Sequence, residues 1–76
     1  MPNLNDPHKR AEEIFMLLRK AVPVTGYDVI SFYPEEYRMV FNFSGLRIER
    51  LINFDVPIKY VATQIAHRYV EEMINR

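Results

Sequence analysis

His67 and Glu71 come closest, in residue type and spacing, to a site of chemistry in this chain. Residues four apart lie on the same face of a helix, and an imidazole beside a carboxylate suits two ligands of a metal ion. A metal site needs further ligands, and the only other histidine is His8. We therefore expect an exposed helical pair, with no metal and no cofactor.

Residues for nucleophilic or acid–base catalysis are sparse. The chain has no cysteine, and its serines, Ser31 and Ser44, have no predicted His or Asp partner. With only two glycines it has no glycine-rich loop to hold a phosphate. Glu35 and Glu36 are adjacent, so their carboxyl groups lack the contrasting environments that a general acid and a general base require. We expect a non-enzymatic protein, and no small-molecule substrate is indicated.

Basic side chains offer a different chemistry, the binding of nucleic acid phosphates. Ten Lys and Arg residues balance ten Asp and Glu residues, so the net charge of zero provides no general attraction to nucleic acid or to anionic membranes. A local basic patch remains compatible with this balance, and the competing interpretation is a mixed, solvated surface. The candidate nucleic-acid contacts are Arg38, Arg47, Lys59 and Arg68.

Two amphipathic helices are predicted to flank the middle of the chain. Asp6 and Pro7 are a favourable helix start, and apolar residues then recur every three or four positions over residues 7–21. A second such stripe covers residues 57–75. Residues 1–5 are expected to be a flexible tail, and at 76 residues the chain should form a single domain, 1–76.

Three strands are predicted between the helices, at residues 27–33, 37–43 and 46–54. A two-residue turn at Ser44-Gly45 would join the last two strands as a hairpin. In the register that this turn sets, three of the four facing pairs on one side of the hairpin are apolar. The fourth pair is Met39 opposite Arg50. A bulge, or a side chain that extends towards solvent, would accommodate Arg50.

The predicted fold class is therefore α+β: α-β-β-β-α, a three-stranded antiparallel meander with both helices on one face. This order of elements is shared with double-stranded-RNA-binding domains. Those domains have several lysines at the start of the second helix, where this chain has only Lys59. The sequence therefore supports the arrangement more strongly than the binding function.

The other face of the sheet would be open. If a four-residue turn joins the first two strands, Ile30 and Phe32 point towards the helices, whereas a shift by one residue exchanges the faces. The open face then has an apolar centre with a rim of Tyr and Arg, residue types that are enriched at protein interfaces. The predicted centre is Val29, Val40 and Leu51, and the predicted rim is Tyr33, Arg38 and Arg47.

We expect a small protein–protein interaction or assembly module that homodimerises through this open face. The alternatives are an ordinary solvated sheet and the nucleic-acid-binding module. A cysteine-free composition, a polar start and the absence of an apolar run of about 20 residues indicate a cytoplasmic protein that does not enter the membrane.

Overall fold

The computed structural model describes residues 6–32 and 36–75, in which two helices pack on a three-stranded antiparallel sheet. The elements are α1 (Pro7–Leu18), β1 (Val24–Phe32), β2 (Glu36–Phe43), β3 (Leu46–Leu51) and α2 (Ile58–Ile74). The predicted α+β order is therefore confirmed. The predicted tail 1–5 and residues 33–35, which include Tyr33, lie outside the described residues.

Helix α1 begins at the predicted residue and ends before the predicted one. The Asp6 side chain accepts a hydrogen bond from the backbone N–H of His8 at 2.9 Å, and Pro7 occupies the first turn. The helix ends at Leu18, where the prediction placed the end at Ala21. The backbone N–H of Ala21 donates to the carbonyl of Leu18 at 3.0 Å. This tighter closing turn replaces the last part of the predicted helix.

Helix α2 agrees with the prediction to within one residue at each end. Pro57 is its N-cap and provides no side-chain acceptor. The helix packs on the sheet through an apolar stripe that reaches Tyr69, which stacks on Phe43 of β2 with ring centroids 4.6 Å apart. The buried residues of the stripe are Val61, Ala62 and Ile65.

The hairpin between β2 and β3 has the predicted register. Gly45 in its turn has a φ of 79°, in the left-handed region that glycine adopts without steric cost. The backbone N–H of Ile52 continues the pairing beyond β3 by donating to the carbonyl of Tyr37 at 3.0 Å. The facing pairs on the helix side are Phe43–Leu46, Phe41–Ile48 and Met39–Arg50.

Three strand ends among the described residues differ from the prediction: β2 begins one residue earlier, at Glu36, and the start of β1 and the end of β3 differ by three residues each. Strand β1 begins at Val24 rather than Tyr27, and the extra residue of an irregularity lies at Thr25, whose hydroxyl donates to the carbonyl of Asn42 at 3.0 Å. Strand β3 ends at Leu51 rather than at residue 54. Immediately afterwards the Asn53 side chain accepts from the backbone N–H of residue 55 at 2.9 Å, which forms a turn.

The predicted orientation of β1 is wrong. Phe32 lies opposite Glu36, so three residues separate the paired positions rather than the four of the predicted turn. One residue fewer in the turn reverses every side chain of the strand, because successive residues point to opposite faces. Val29 therefore packs against the core on the helix side, and Ile30 and Phe32 lie on the open face.

A single apolar core fills the space between the sheet and the two helices. Helix α1 contacts β1 through Phe15 and Tyr27, whose ring centroids are 4.8 Å apart. The two helices run in the same direction: Arg10 of α1 donates to the carbonyl of Val56 just before α2, and further along both segments Ala21 and Ala66 line the same groove. The buried members of the core are Ala11, Ile14, Leu18, Met39, Phe41, Phe43, Ile48, Val61, Ala62 and Ile65.

Candidate interaction surfaces

The open face of the sheet has an apolar patch at the end where β1 finishes and β2 begins. Arg38 of the central strand lies between Ile30 on β1 and Leu51 on β3. Phe32 is two residues beyond Ile30 on the same strand and therefore on the same face. We call Ile30, Phe32, Arg38 and Leu51 the sheet patch. Phe32 is 42% exposed and Leu51 is 55% exposed, so the patch presents large apolar groups to solvent.

Arg38 organises the sheet patch. Its guanidinium lies over the Phe32 ring, 5.0 Å from the ring centroid, and its Nε donates to the Glu36 carboxylate at 3.0 Å. The Glu36 contact holds the Arg38 side chain along β2, and the Phe32 contact spreads it over an aromatic face. An arginine held in this way beside aromatic and aliphatic groups is typical of the residues that dominate protein–protein interfaces.

Val40 lies on the open face as predicted, but it is not an exposed centre. The side chain is 1% exposed and does not belong to the core between sheet and helices. Its neighbours across the strands are Asp28 and Glu49, and a residue of a central strand is flanked on both sides. Because Val29 faces the helices, Leu51 is the one member of the predicted apolar centre that is both on the open face and exposed.

Arg47 lies on the open face, towards the hairpin end of the sheet. Its Nη2 contacts the Glu49 carboxylate at 3.2 Å, and both side chains are exposed. An exposed pair of this kind adds little stability. Arg47 and Glu49, together with Asp28, give this end of the face charges of both signs, whereas the apolar groups are concentrated at the sheet patch.

The four nucleic-acid candidates do not form one surface. Arg38 and Arg47 lie on the open face, and Lys59 and Arg68 lie on α2, which covers the opposite face. Arg38, Arg47 and Arg68 each contact a glutamate, the last through Glu72 at 3.0 Å. The nucleic-acid alternative stays a prediction, and a mobility-shift assay at low and high salt measures it directly.

The His67–Glu71 pair has the predicted geometry. Nδ1 of His67 lies 3.7 Å from Oε1 of Glu71, and both side chains are exposed. Within residues 6–32 and 36–75, no three His, Cys, Asp or Glu side chains lie together in a way that could hold a metal ion.

The helix side also has exposed apolar surface, which was not predicted from the sequence as an interaction site. A groove of about 490 Å³ runs between α1 and α2, lined by Leu17 and Ala21 on one wall and Ala62 and Ala66 on the other. At the C-terminal end of α2, Val70, Met73 and Ile74 are exposed. The sequence does contain a signal for this exposed surface. Val70 and Ile74 make the apolar stripe of α2 wider than the part of the helix that the sheet covers.

Neither helix within the described ranges has the length and apolar character needed to cross a membrane. In comparisons with known proteins, no family model, no curated protein and no solved structure matches this chain.

Proposed function

We propose that this protein is a small, non-enzymatic interaction module that homodimerises through the open face of its sheet. The supporting observation is the sheet patch, where Phe32 and Leu51 are exposed on either side of a positioned Arg38. The patch differs from the one predicted from sequence. Ile30 and Phe32 replace Val29, and Val40 lies on the same face but is buried, so it offers no exposed contact.

The charges of the open face favour a second copy as the partner. A two-fold interface brings residue i against residue j and residue j against residue i. A face with both Arg47 and Glu49 at its surface can therefore form the same pair twice between two copies. Arg38 and Glu36 offer a second such exchange at the other end. Charges arranged in this way set the register of an interface more than its affinity.

The area of the open face indicates that the proposed dimer is weak. Three strands about 4.8 Å apart and roughly 20–30 Å long give a face of about 350 Å² in projection. Two such faces with their rims bury roughly 1,000 Å², which is at the lower limit for a specific interface. The dimer should therefore be weak, with a dissociation constant between micromolar and millimolar. The proposal retains the cytoplasmic location that the cysteine-free composition favours.

Sedimentation velocity over a wide concentration range tests the proposal. We expect the unmodified chain to shift from monomer to dimer, and Phe32→Glu and Leu51→Glu to remain monomeric with unchanged circular dichroism. Val70→Glu is the matched control, since Val70 is 45% exposed and belongs to α2, which packs on the other face of the sheet. A monomer at every concentration contradicts the proposal. A dimer that Val70→Glu abolishes and Leu51→Glu leaves intact assigns association to the helices and contradicts it as well.

A further inference from the structure

Arg50 occupies a position where an apolar residue would be expected. It lies opposite Met39 on the face of the sheet that packs against the helices, and it is half-buried. Its Nη2 donates to Oε1 of Gln64 on α2 at 2.6 Å. No carboxylate of the described residues forms an ion pair with it. A partly buried guanidinium without a counter-charge is costly, so this position calls for an explanation.

Arg10 of α1 is in the same situation. It is half-buried, donates from Nη2 to the carbonyl of Val56, and lies over the Phe54 ring at 5.5 Å from the centroid. Within the part of the chain that the structure describes, it too has no carboxylate partner. A guanidinium has five N–H donors, so most donors of both arginines are available to another group.

The two arginines line one cavity. It has a volume of about 290 Å³ and lies where α1, the end of β3 and the start of α2 meet. Met39 and Val61 give it apolar walls, and Tyr60 and Gln64 add polar groups. Two uncompensated cations at an apolar cavity of this size resemble the composition of small-ligand sites, which combine apolar walls with a few polar anchors.

We propose that this cavity binds a small organic molecule carrying an oxyanion, a phosphate or a carboxylate. Arg10 and Arg50 would hold the anion through charge-assisted hydrogen bonds, since the guanidinium fork matches both groups in geometry. Met39 and Val61 would contact a short apolar portion. The volume limits the ligand to a compact molecule, at the small end of the range for ligand pockets. The cavity borders the sheet patch at Leu51, and the proposal does not depend on the dimer, because both arginines lie on the helix side of the sheet.

NMR titration of the isotope-labelled full chain tests the proposal with three probes of similar shape. Phenyl phosphate and phenylacetate carry the two oxyanions, and benzyl alcohol is the neutral control. We expect the anions to shift the amide signals of Met39 and Val61 and to bind at least about tenfold more tightly than the alcohol. Tighter binding of the phosphate identifies a phosphate ligand, and binding of the carboxylate with equal or greater affinity identifies a carboxylate ligand.

Variants assign the anion contact to the two arginines. Arg10→Met and Arg50→Met should each weaken binding of the preferred anion about tenfold and leave benzyl alcohol unaffected. Arg47→Met is the control, because Arg47 lies on the opposite face of the sheet. If Arg50→Met does not fold, Arg50→Lys replaces it, since lysine keeps the charge but loses the fork. Anions that bind no better than the alcohol, or binding that survives loss of both arginines, would overturn the proposal.

Discussion

Ile30 lies directly opposite Arg38 in the ladder between β1 and β2, so the two side chains share the open face of the sheet. The adjacent pair, Val29 opposite Met39, lies on the helix side. This one-residue offset decides which apolar groups of β1 enter the core and which reach solvent. It also places Phe32 beside Arg38, where the guanidinium covers its ring.

The register of β1 predicts opposite results for two neighbouring substitutions. Val29→Glu would place a carboxylate against the core and should lower the free energy of unfolding by about 2–3 kcal/mol. Ile30→Glu should change it by less than about 1 kcal/mol, because the new side chain reaches solvent beside Arg38. Urea denaturation followed by circular dichroism measures both values. Equal losses, or a larger loss for Ile30→Glu, would show that the strand is turned the other way.

Val40 should respond as a buried residue although it lies on the open face. Val40→Glu is expected to lower the free energy of unfolding by more than about 3 kcal/mol, since its 1% exposure leaves a carboxylate no path to water without displacing its neighbours. Leu51→Glu, at 55% exposure on the same face, is the control and should cost less than about 1 kcal/mol. Thermal melting compares the two. A Val40→Glu variant as stable as the Leu51→Glu variant refutes this reading of the surface.

The two glycines should tolerate alanine differently. Gly45→Ala forces an L-residue to a φ of 79° and should cost about 1–2 kcal/mol. Gly26 does not have a positive φ, and a methyl group added there meets nothing within 4 Å. Gly26→Ala should therefore be neutral or stabilise by up to about 1 kcal/mol, because it restricts the unfolded chain. Guanidinium denaturation gives both values, and a larger cost at Gly26 contradicts the turn geometry.

The hydrogen bond between Arg50 and Gln64 should couple β3 to α2. A double-mutant cycle with Arg50→Ala and Gln64→Ala is expected to give an interaction energy of about 1 kcal/mol in ligand-free protein. The guanidinium is charged and partly buried, which strengthens the bond, and competition from water weakens it. Denaturation of the four proteins supplies the cycle. An interaction energy indistinguishable from zero indicates that the contact does not hold in solution.

Local signals in the sequence were sufficient for the start of α1, for α2 to within one residue at each end, and for the β2–β3 hairpin. Asp6 and Pro7 define the start of α1 through capping and a fixed φ, both of which act within a few residues. Ser44-Gly45 and the alternation of Phe41 and Phe43 agree on a single register, which the structure confirms. Arg50 was also identified from sequence as the exception on the apolar face, and it does occur there without a bulge in its ladder.

The candidate site was less accessible from sequence, because it depends on a turn length and on contacts between distant residues. Both Val29 and Ile30 suit a strand, so composition alone does not determine which of the two enters the core. Exposure of Val40 depends on the side chains of two neighbouring strands. The shared cavity of Arg10 and Arg50 joins residues 40 positions apart in the chain, and no spacing rule connects them.

The order of the five elements and the hairpin follow from local signals, because capping, turn chemistry and apolar periodicity act over short distances. The buried face of β1 and the pairing of Arg10 with Arg50 at one cavity follow from packing between distant segments. Strand pairing and helix packing are collective: a single residue in one turn changes the environment of a whole strand, and the pattern of β1 fits either side of the sheet.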